Sequence, residues 1–105
     1  MMVTKITNNA FEQVKSAKFA VVDYSAIWCG PCQMLAPLFH QLAEEMGDDI
    51  SFFNIDVDEN RDIASQMGIM NIPTIQIFKD GQKVAQQVGF QPKEAMKQWI
   101  ETYRG

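Results

Sequence analysis

Phe19-Ala20-Val21-Val22 is an unbroken apolar run that ends in Asp23-Tyr24-Ser25. A strand with one wet face alternates polar and apolar residues. A continuous run bounded by turn signals predicts instead a strand buried on both faces. Beyond it the period changes. Leu35, Leu38, Phe39, Leu42 and Met46 recur at helical spacing, and Gly47 follows as a stop signal. Pro37 lies inside that stretch, and because the stripe continues past it, it is expected to kink the helix rather than end it.

The same alternation continues along the chain. Met2 to Ile6 alternates weakly and predicts a short strand. Asn9-Ala10-Phe11-Glu12 has the spacing of a capping box, with Phe11 and Val14 as the apolar stripe of a brief helix. Ile50 to Val57 reads as a second buried strand, and a short helix follows around Arg61 to Met67. Thr74 to Phe78 and Lys83 to Val88 flank Asp80-Gly81, a hairpin turn signal. Ala95, Met96, Trp99, Ile100 and Tyr103 make an amphipathic last helix. The predicted order is β-α-β-α-β-α-β-β-α. It implies an α/β fold with parallel central strands and an antiparallel edge added by the hairpin.

At 105 residues, without repeat, linker or low-complexity stretch, one domain over residues 1–105 is expected. With 47% hydrophobic residues, a disordered tail and a disulfide-dense scaffold are excluded. The net charge is −4 and the positive charges form no run, so nucleic acid is not an expected partner. The first residues lack the charged-then-apolar layout of a secretory signal, and no run of about 18 apolar residues predicts a membrane span. A cytoplasmic setting is the resulting expectation. There the thiol pool is reducing, so a disulfide is expected to be transient rather than structural.

Cys29-Gly30-Pro31-Cys32 falls between the first buried strand and the long helix. Two cysteines three apart at a helix start reach disulfide geometry, with Cα atoms ~5–6 Å apart. The first faces the unsatisfied N–H groups and positive dipole end of the helix, which favour thiolate over thiol. The second is placed to attack a mixed disulfide made by the first. Pro31 fits the first turn, where no N–H partner is lost. As a structural staple the pair would contribute roughly 2 kcal/mol, against ~4.7 for a 100-residue loop. As a zinc site it lacks ligands, since His40 is the only histidine. As two core cysteines it conflicts with the Gly-Pro turn between them. Redox chemistry is the favoured reading. His40 lies eight helical residues beyond Cys32, ~12 Å, and reads as a partly exposed structural residue. The seven methionines read as core fillers, except Met70 in a loop.

Trp28-Cys29-Gly30-Pro31-Cys32, after a buried strand with an internal Asp, strongly resembles the thioredoxin family. Val22 to Ala26 is similar to the strand that carries the family's buried carboxylate, and Pro37 to its helix proline. Asn54-Ile55-Asp56-Val57-Asp58 resembles the end of its third strand, Ile72-Pro73-Thr74 its cis-proline loop, and Lys79-Asp80-Gly81 its hairpin turn. Val88-Gly89 corresponds to a further piece of its substrate surface. The resemblance covers nearly the whole chain and implies a central mixed five-stranded sheet with helices on both faces.

The implied activity is protein-disulfide reduction by dithiol–disulfide exchange through a mixed disulfide. Cys29 matches the attacking thiol and Cys32 the resolving one. No bound cofactor is implied, because electrons arrive from NADPH through a thioredoxin reductase. Implied substrates are disulfide proteins such as ribonucleotide reductase, peroxiredoxins and methionine sulfoxide reductases, with the protein itself a monomer. Pro73, if cis, would set the Ile72 backbone beside Cys29 to pair with an extended substrate strand. Gly30 and Pro31 lie at the same surface, and Trp28, Met70, Ile72 and Phe90 would form its apolar rim. For Phe90 the competing reading is an inward-packed staple at the start of the last helix.

Three positions depart from the common pattern. Gln33 stands where many members have Lys. Ser25 and Phe52 occupy positions where many bacterial members carry Trp and a Lys approaching the buried Asp, as animal-type members also differ there. Asp23 is expected to be desolvated, with a raised pKa, and to accept the Cys32 proton through a water. A scaffold subunit whose redox state is irrelevant is opposed by the intact cysteine pair. An oxidase or isomerase of an oxidising compartment is opposed by the Gly-Pro dipeptide, which accompanies reducing members.

Overall fold

In the computed structural model, residues 3–47 and 49–104 are described. The elements run β1 (Val3–Lys5), α1 (Glu12–Ser16), β2 (Phe19–Ser25), α2 (Gly30–Glu45), β3 (Ser51–Asp56), α3 (Arg61–Gln66), β4 (Thr74–Lys79), β5 (Gln82–Val88) and α4 (Lys93–Arg104). This is the predicted order. Met2, where the first strand was expected to begin, lies outside the described residues.

The strands form one sheet in the order β1-β3-β2-β4-β5, which puts the apolar run of β2 at the centre. Successive side chains of β2 point to opposite faces, so one strand feeds two cores. Val21, Phe52, Ile75 and Ile77 pack under Leu35, Phe39 and Leu42 of α2 and Met96 and Ile100 of α4. On the other face Ala20, Val22, Phe53, Ile55 and Phe78 meet Val14 of α1, Phe11 just before it, and Ile63 of α3. Burial of both faces explains why the run carries no polar residue before Asp23.

The pairing differs from expectation at one place. β1, β3 and β2 are parallel, but β4 runs antiparallel to β2 inside the sheet, and not only to β5 at the edge. The cause is the brevity of α3. Its six residues rise ~9 Å, while a six-residue strand spans ~20 Å. α3 thus does not carry the chain back along β3, and β4 enters from the end where β3 left off.

The capping box is also corrected. The N-cap of α1 is Phe11, and no side chain caps that helix. Asn9 instead reaches across to α3, where its Oδ1 accepts the Ile63 N–H at 3.0 Å and its own N–H donates to Asn60 Oδ1 at 2.9 Å. Its φ of 55–56°, shared with Asn8, turns the chain away from a local cap. α2 runs through Pro37 to a cap at Met46, and Gly47 follows with φ +87. The hairpin turn has Asp80 at φ 51 and Gly81 at φ 83, the pair of left-handed residues that a type I′ turn requires. Gly81 must also lack a side chain, because a Cβ there would lie 2.9 Å from the Lys15 carbonyl oxygen. Among the described residues no helix is long and apolar enough to cross a membrane.

Candidate functional site

The alternation that sends Val21 under α2 sends Asp23 there too, beyond the end of the apolar stripe. Asp23 pairs with Asn54 on β3 and with Ile75 on β4, and is 2% exposed. The Asn54 amide donates to its Oδ2 at 3.2 Å, to its main-chain oxygen at 3.3 Å and to Ser25 Oγ at 3.0 Å. Oδ1 is buried with no hydrogen-bond partner among the described residues. Burial pushes the carboxyl from 3.8 up to about 7, against the opposing pull of the Asn54 hydrogen bond. Phe52, expected to stand at the position approaching Asp23, does not. It lies opposite Val21, one pair earlier on the same face and inside the core, and Asn54 faces Asp23.

The chain then turns through Ser25 and Ala26 into α2. The Cys29 N–H donates to the Ala26 carbonyl at 3.2 Å, and Cys29 takes the N-cap position with an extended backbone. Gly30 and Pro31 form the exposed first turn. The Cys32 N–H donates to Cys29 Sγ at 3.3 Å. A helix-start N–H aimed at sulfur favours the thiolate on Cys29 once the pair is reduced. The two cysteines are joined in a disulfide with Cα atoms 5.2 Å apart. Cys32 lies deeper, at 1% exposure against 6% for Cys29. Gln33, in place of a lysine, donates its side-chain amide to the Ala26 carbonyl at 3.0 Å and so ties the helix start to the preceding loop.

Two further segments come to the cysteines. The Ile72-Pro73 bond is cis, and the Ile72 carbonyl oxygen lies 3.9 Å from Cys29 Sγ. Ile72 is half-buried against the small cluster of Ala26, Cys29 and Cys32. The Gly89 N–H donates to the Pro73 carbonyl at 2.7 Å, which joins Val88-Gly89 to that loop, and Gly89 adopts φ +100 to do so. Around these lie exposed apolar side chains: Met70 at 89%, Trp28 at 72%, and Val88 and Phe90, which is outside both main core clusters.

Asn54 and Asp58 belong to the stretch that resembles the family's third-strand end, but no site role was expected of either. Asp58 Oδ2 accepts the Trp28 indole N–H at 2.8 Å and fixes the ring beside the cysteines. Asp58 follows the end of a strand, and only three-dimensional proximity links it to Trp28. Asn54 had a signal available, because it shares strand parity with Phe52. Exposed Ile27 and Met34 add apolar surface that was not anticipated. A cleft of about 310 Å³ opens behind the cysteines, lined by Asp23, Ser25, Cys32, Phe39 and Asn54, with Lys5, His40 and Asp56 also on its wall. His40 is exposed where it meets that wall, in line with a surface position. Among the described residues no group of three or more His, Cys, Asp or Glu side chains is placed to hold a metal.

The family model described as Thioredoxin matches residues 2–102. The chain is 42% identical over 103 residues to a thioredoxin of Bacillus subtilis, covering 98% of this chain and 99% of that protein. It is 41% identical over 102 residues to a thioredoxin of Listeria monocytogenes, covering 97% and 99%. Among solved structures, a mutant thioredoxin from Halobacterium salinarum superposes with a TM-score of 0.89 at 38% identity, covering 99% of this chain and 92% of that one. A thioredoxin from Malassezia sympodialis gives a TM-score of 0.87 at 37% identity, covering 98% and 91%.

Proposed function

The chain belongs to the thioredoxin family and is a thiol–disulfide oxidoreductase of the protein-disulfide reductase type; from that premise we propose that Cys29 attacks, Cys32 resolves and Asp23 takes the proton of the resolving thiol. The observation that carries the assignment is the Cys32 N–H aimed at Cys29 Sγ from 3.3 Å, with Cys32 itself buried. The first sulfur has a donor that favours its anion. The second is sheltered until the first has reacted.

The Cys29 thiolate attacks one sulfur of a substrate disulfide. A Cys29–substrate bond forms, the substrate S–S bond breaks, and the departing thiolate takes a proton. Cys32 then gives its proton through a water to Asp23 and attacks Cys29 Sγ. The Cys29–Cys32 disulfide forms, the Cys29–substrate bond breaks, and the second substrate sulfur leaves as a thiolate that takes a proton. Two electrons have moved from the pair to the substrate. A raised carboxyl pKa suits Asp23 to this, since a base works best with a pKa near the operating pH.

Thioredoxins need no bound cofactor, and the family works with thioredoxin reductase and disulfide substrates. On our reading NADPH supplies the electrons through that reductase. The substrates include ribonucleotide reductase, peroxiredoxins and methionine sulfoxide reductases, and the protein acts as a cytoplasmic monomer of one domain. A reducing cytoplasm suits a dithiol that must be regenerated. A scaffold role independent of redox chemistry is not favoured, because the relatives are thioredoxins and the cysteine pair is intact.

Substrate is proposed to dock along the Ile72 backbone, next to Gly30, Pro31 and Pro73, with the exposed side chains of Trp28, Met70, Val88 and Phe90 and the turn at Gly89 as the rim. Burying an exposed methionine is worth about 1.5–3 kcal/mol. Met70→Glu is therefore expected to lower kcat/KM for a protein disulfide about tenfold or more, chiefly through KM. Raising salt in the wild type should change it less, because screening acts on exposed charges. The assay is NADPH oxidation coupled through thioredoxin reductase. Equal kcat/KM in the two proteins, with a strong salt dependence in both, would contradict apolar docking.

A further inference from the structure

The side chain of Asn54 is held whatever the charge on Asp23. Its amide nitrogen donates to the Asp23 main-chain oxygen at 3.3 Å, an acceptor in every protonation state, and to Ser25 Oγ at 3.0 Å. The amide has two N–H groups for three acceptors, so its contact to Oδ2 of the carboxyl, at 3.2 Å, shares one of those two hydrogens. A carboxyl oxygen facing an N–H is constrained to accept, and it cannot also carry the acid proton toward that donor. The other oxygen, Oδ1, has no partner among the described residues, and Asp23 lines the cleft that also reaches Cys32.

We propose that Asn54 is a positioning residue for the resolving step: it marks Oδ2 of Asp23 as the accepting oxygen and leaves Oδ1 as the one that receives and releases the proton. The inference rests on the reading of Asp23 as the acceptor of the Cys32 proton. It adds which oxygen does this and what enforces it. The hydrogen bond also favours the carboxylate, so Asn54 partly offsets the burial that holds the proton on. The other titratable groups facing this cleft are Lys5 on β1, Asp56 on β3, and Cys32 and His40 on α2. On β4 the residue paired with Asp23 is Ile75, which is apolar.

The test follows the Asp23 carboxyl carbon by NMR against pH in the reduced protein, in wild type, Asn54→Leu and Asn54→Ala. Loss of the donor should raise the Asp23 midpoint by about one pH unit, as expected for a hydrogen bond to a charged group. A midpoint that moves from about 7 by one unit leaves roughly a fifth of the carboxylate at pH 7, so the resolving step there should slow about fivefold. The infrared C=O band of protonated Asp23, identified by its loss in Asp23→Asn, should lie at lower frequency in wild type than in Asn54→Leu, because only in wild type does Oδ2 accept. Two variants guard against one that fails to fold. Midpoints and C=O bands in both variants that match wild type would overturn the inference. The underlying reading is judged separately, by the rate of the resolving step in Asp23→Asn. An unchanged rate there removes the base, while the carboxyl titration still decides whether Asn54 holds it.

Discussion

Cys29→Ser is expected to lose disulfide reduction by more than ~1000-fold, while Cys32→Ser completes the first exchange and stops as a mixed disulfide with its substrate. A serine hydroxyl is not ionised near neutral pH and forms no bond that a second thiol can resolve, so the first variant has no route into the reaction. The second variant keeps the helix-start N–H groups behind Cys29 and lacks only the sulfur that releases substrate. The asymmetry comes from depth: Cys32 is buried beneath the first turn of α2, where an incoming disulfide does not reach it. Mass spectrometry of each variant after mixing with a disulfide-containing protein checks this. A covalent adduct through Cys32 in the Cys29→Ser protein would reverse the assignment.

Asp23→Asn is expected to stabilise the fold at pH 8 and to slow the resolving step. In the folded protein the carboxyl holds its proton to about pH 7, whereas in the unfolded chain it releases it near 3.8. Between those values the folded state binds the extra proton, so wild-type stability falls as pH rises through that window and is flat above it. Asparagine carries no such charge. The variant should match wild type most closely near pH 4, gain on it up to about pH 7, and stay ahead beyond. The distance between the folded and unfolded midpoints sets an upper bound of about 4 kcal/mol on that gain. At about 4–8 °C per kcal/mol, that bound corresponds to a rise in Tm of at most roughly 15–30 °C at pH 8. The same substitution removes the proposed proton acceptor, and the resolving step should slow at least ~10-fold, toward the ~100-fold that a positioned base commonly supplies. Denaturation at several pH values, alongside single-turnover reduction, separates the two effects. A stability difference independent of pH would show that Asp23 is ordinary in its titration, and an undiminished rate would show that it is no base.

What the sequence disclosed and what it withheld divide along local and long-range lines. The apolar run of β2, the stripe of α2 and the Asp80-Gly81 turn are local patterns, and each maps onto the element it predicted. The Cys29–Cys32 pair is likewise local: three residues at a helix start bring the sulfurs together without help from the rest of the fold. Asn9 misled because a capping signature does not say which helix it caps. Its positive φ and the approach of α3 send its side chain to Ile63 instead. The direction of β4 was hidden for a similar reason, since it depends on how far a six-residue helix travels beside a longer strand. The partner of Asp23 depends on strand register. A slip of two residues along β3 exchanges core Phe52 for Asn54, and only the sheet resolves it. The contact of Trp28 with Asp58 joins residues 30 apart and has no local signature.

Electrons pass from the Cys29–Cys32 pair to another protein's disulfide, and that transfer is directly measurable. The reduced protein is mixed with an equimolar disulfide-containing protein and quenched with an alkylating agent, and free thiols are counted on each partner over time. The substrate disulfide is expected to open in step with formation of the Cys29–Cys32 bond, one for one, with a mixed disulfide as the only covalent intermediate. A substrate disulfide that stays intact while Cys29 and Cys32 remain alkylatable would contradict that transfer.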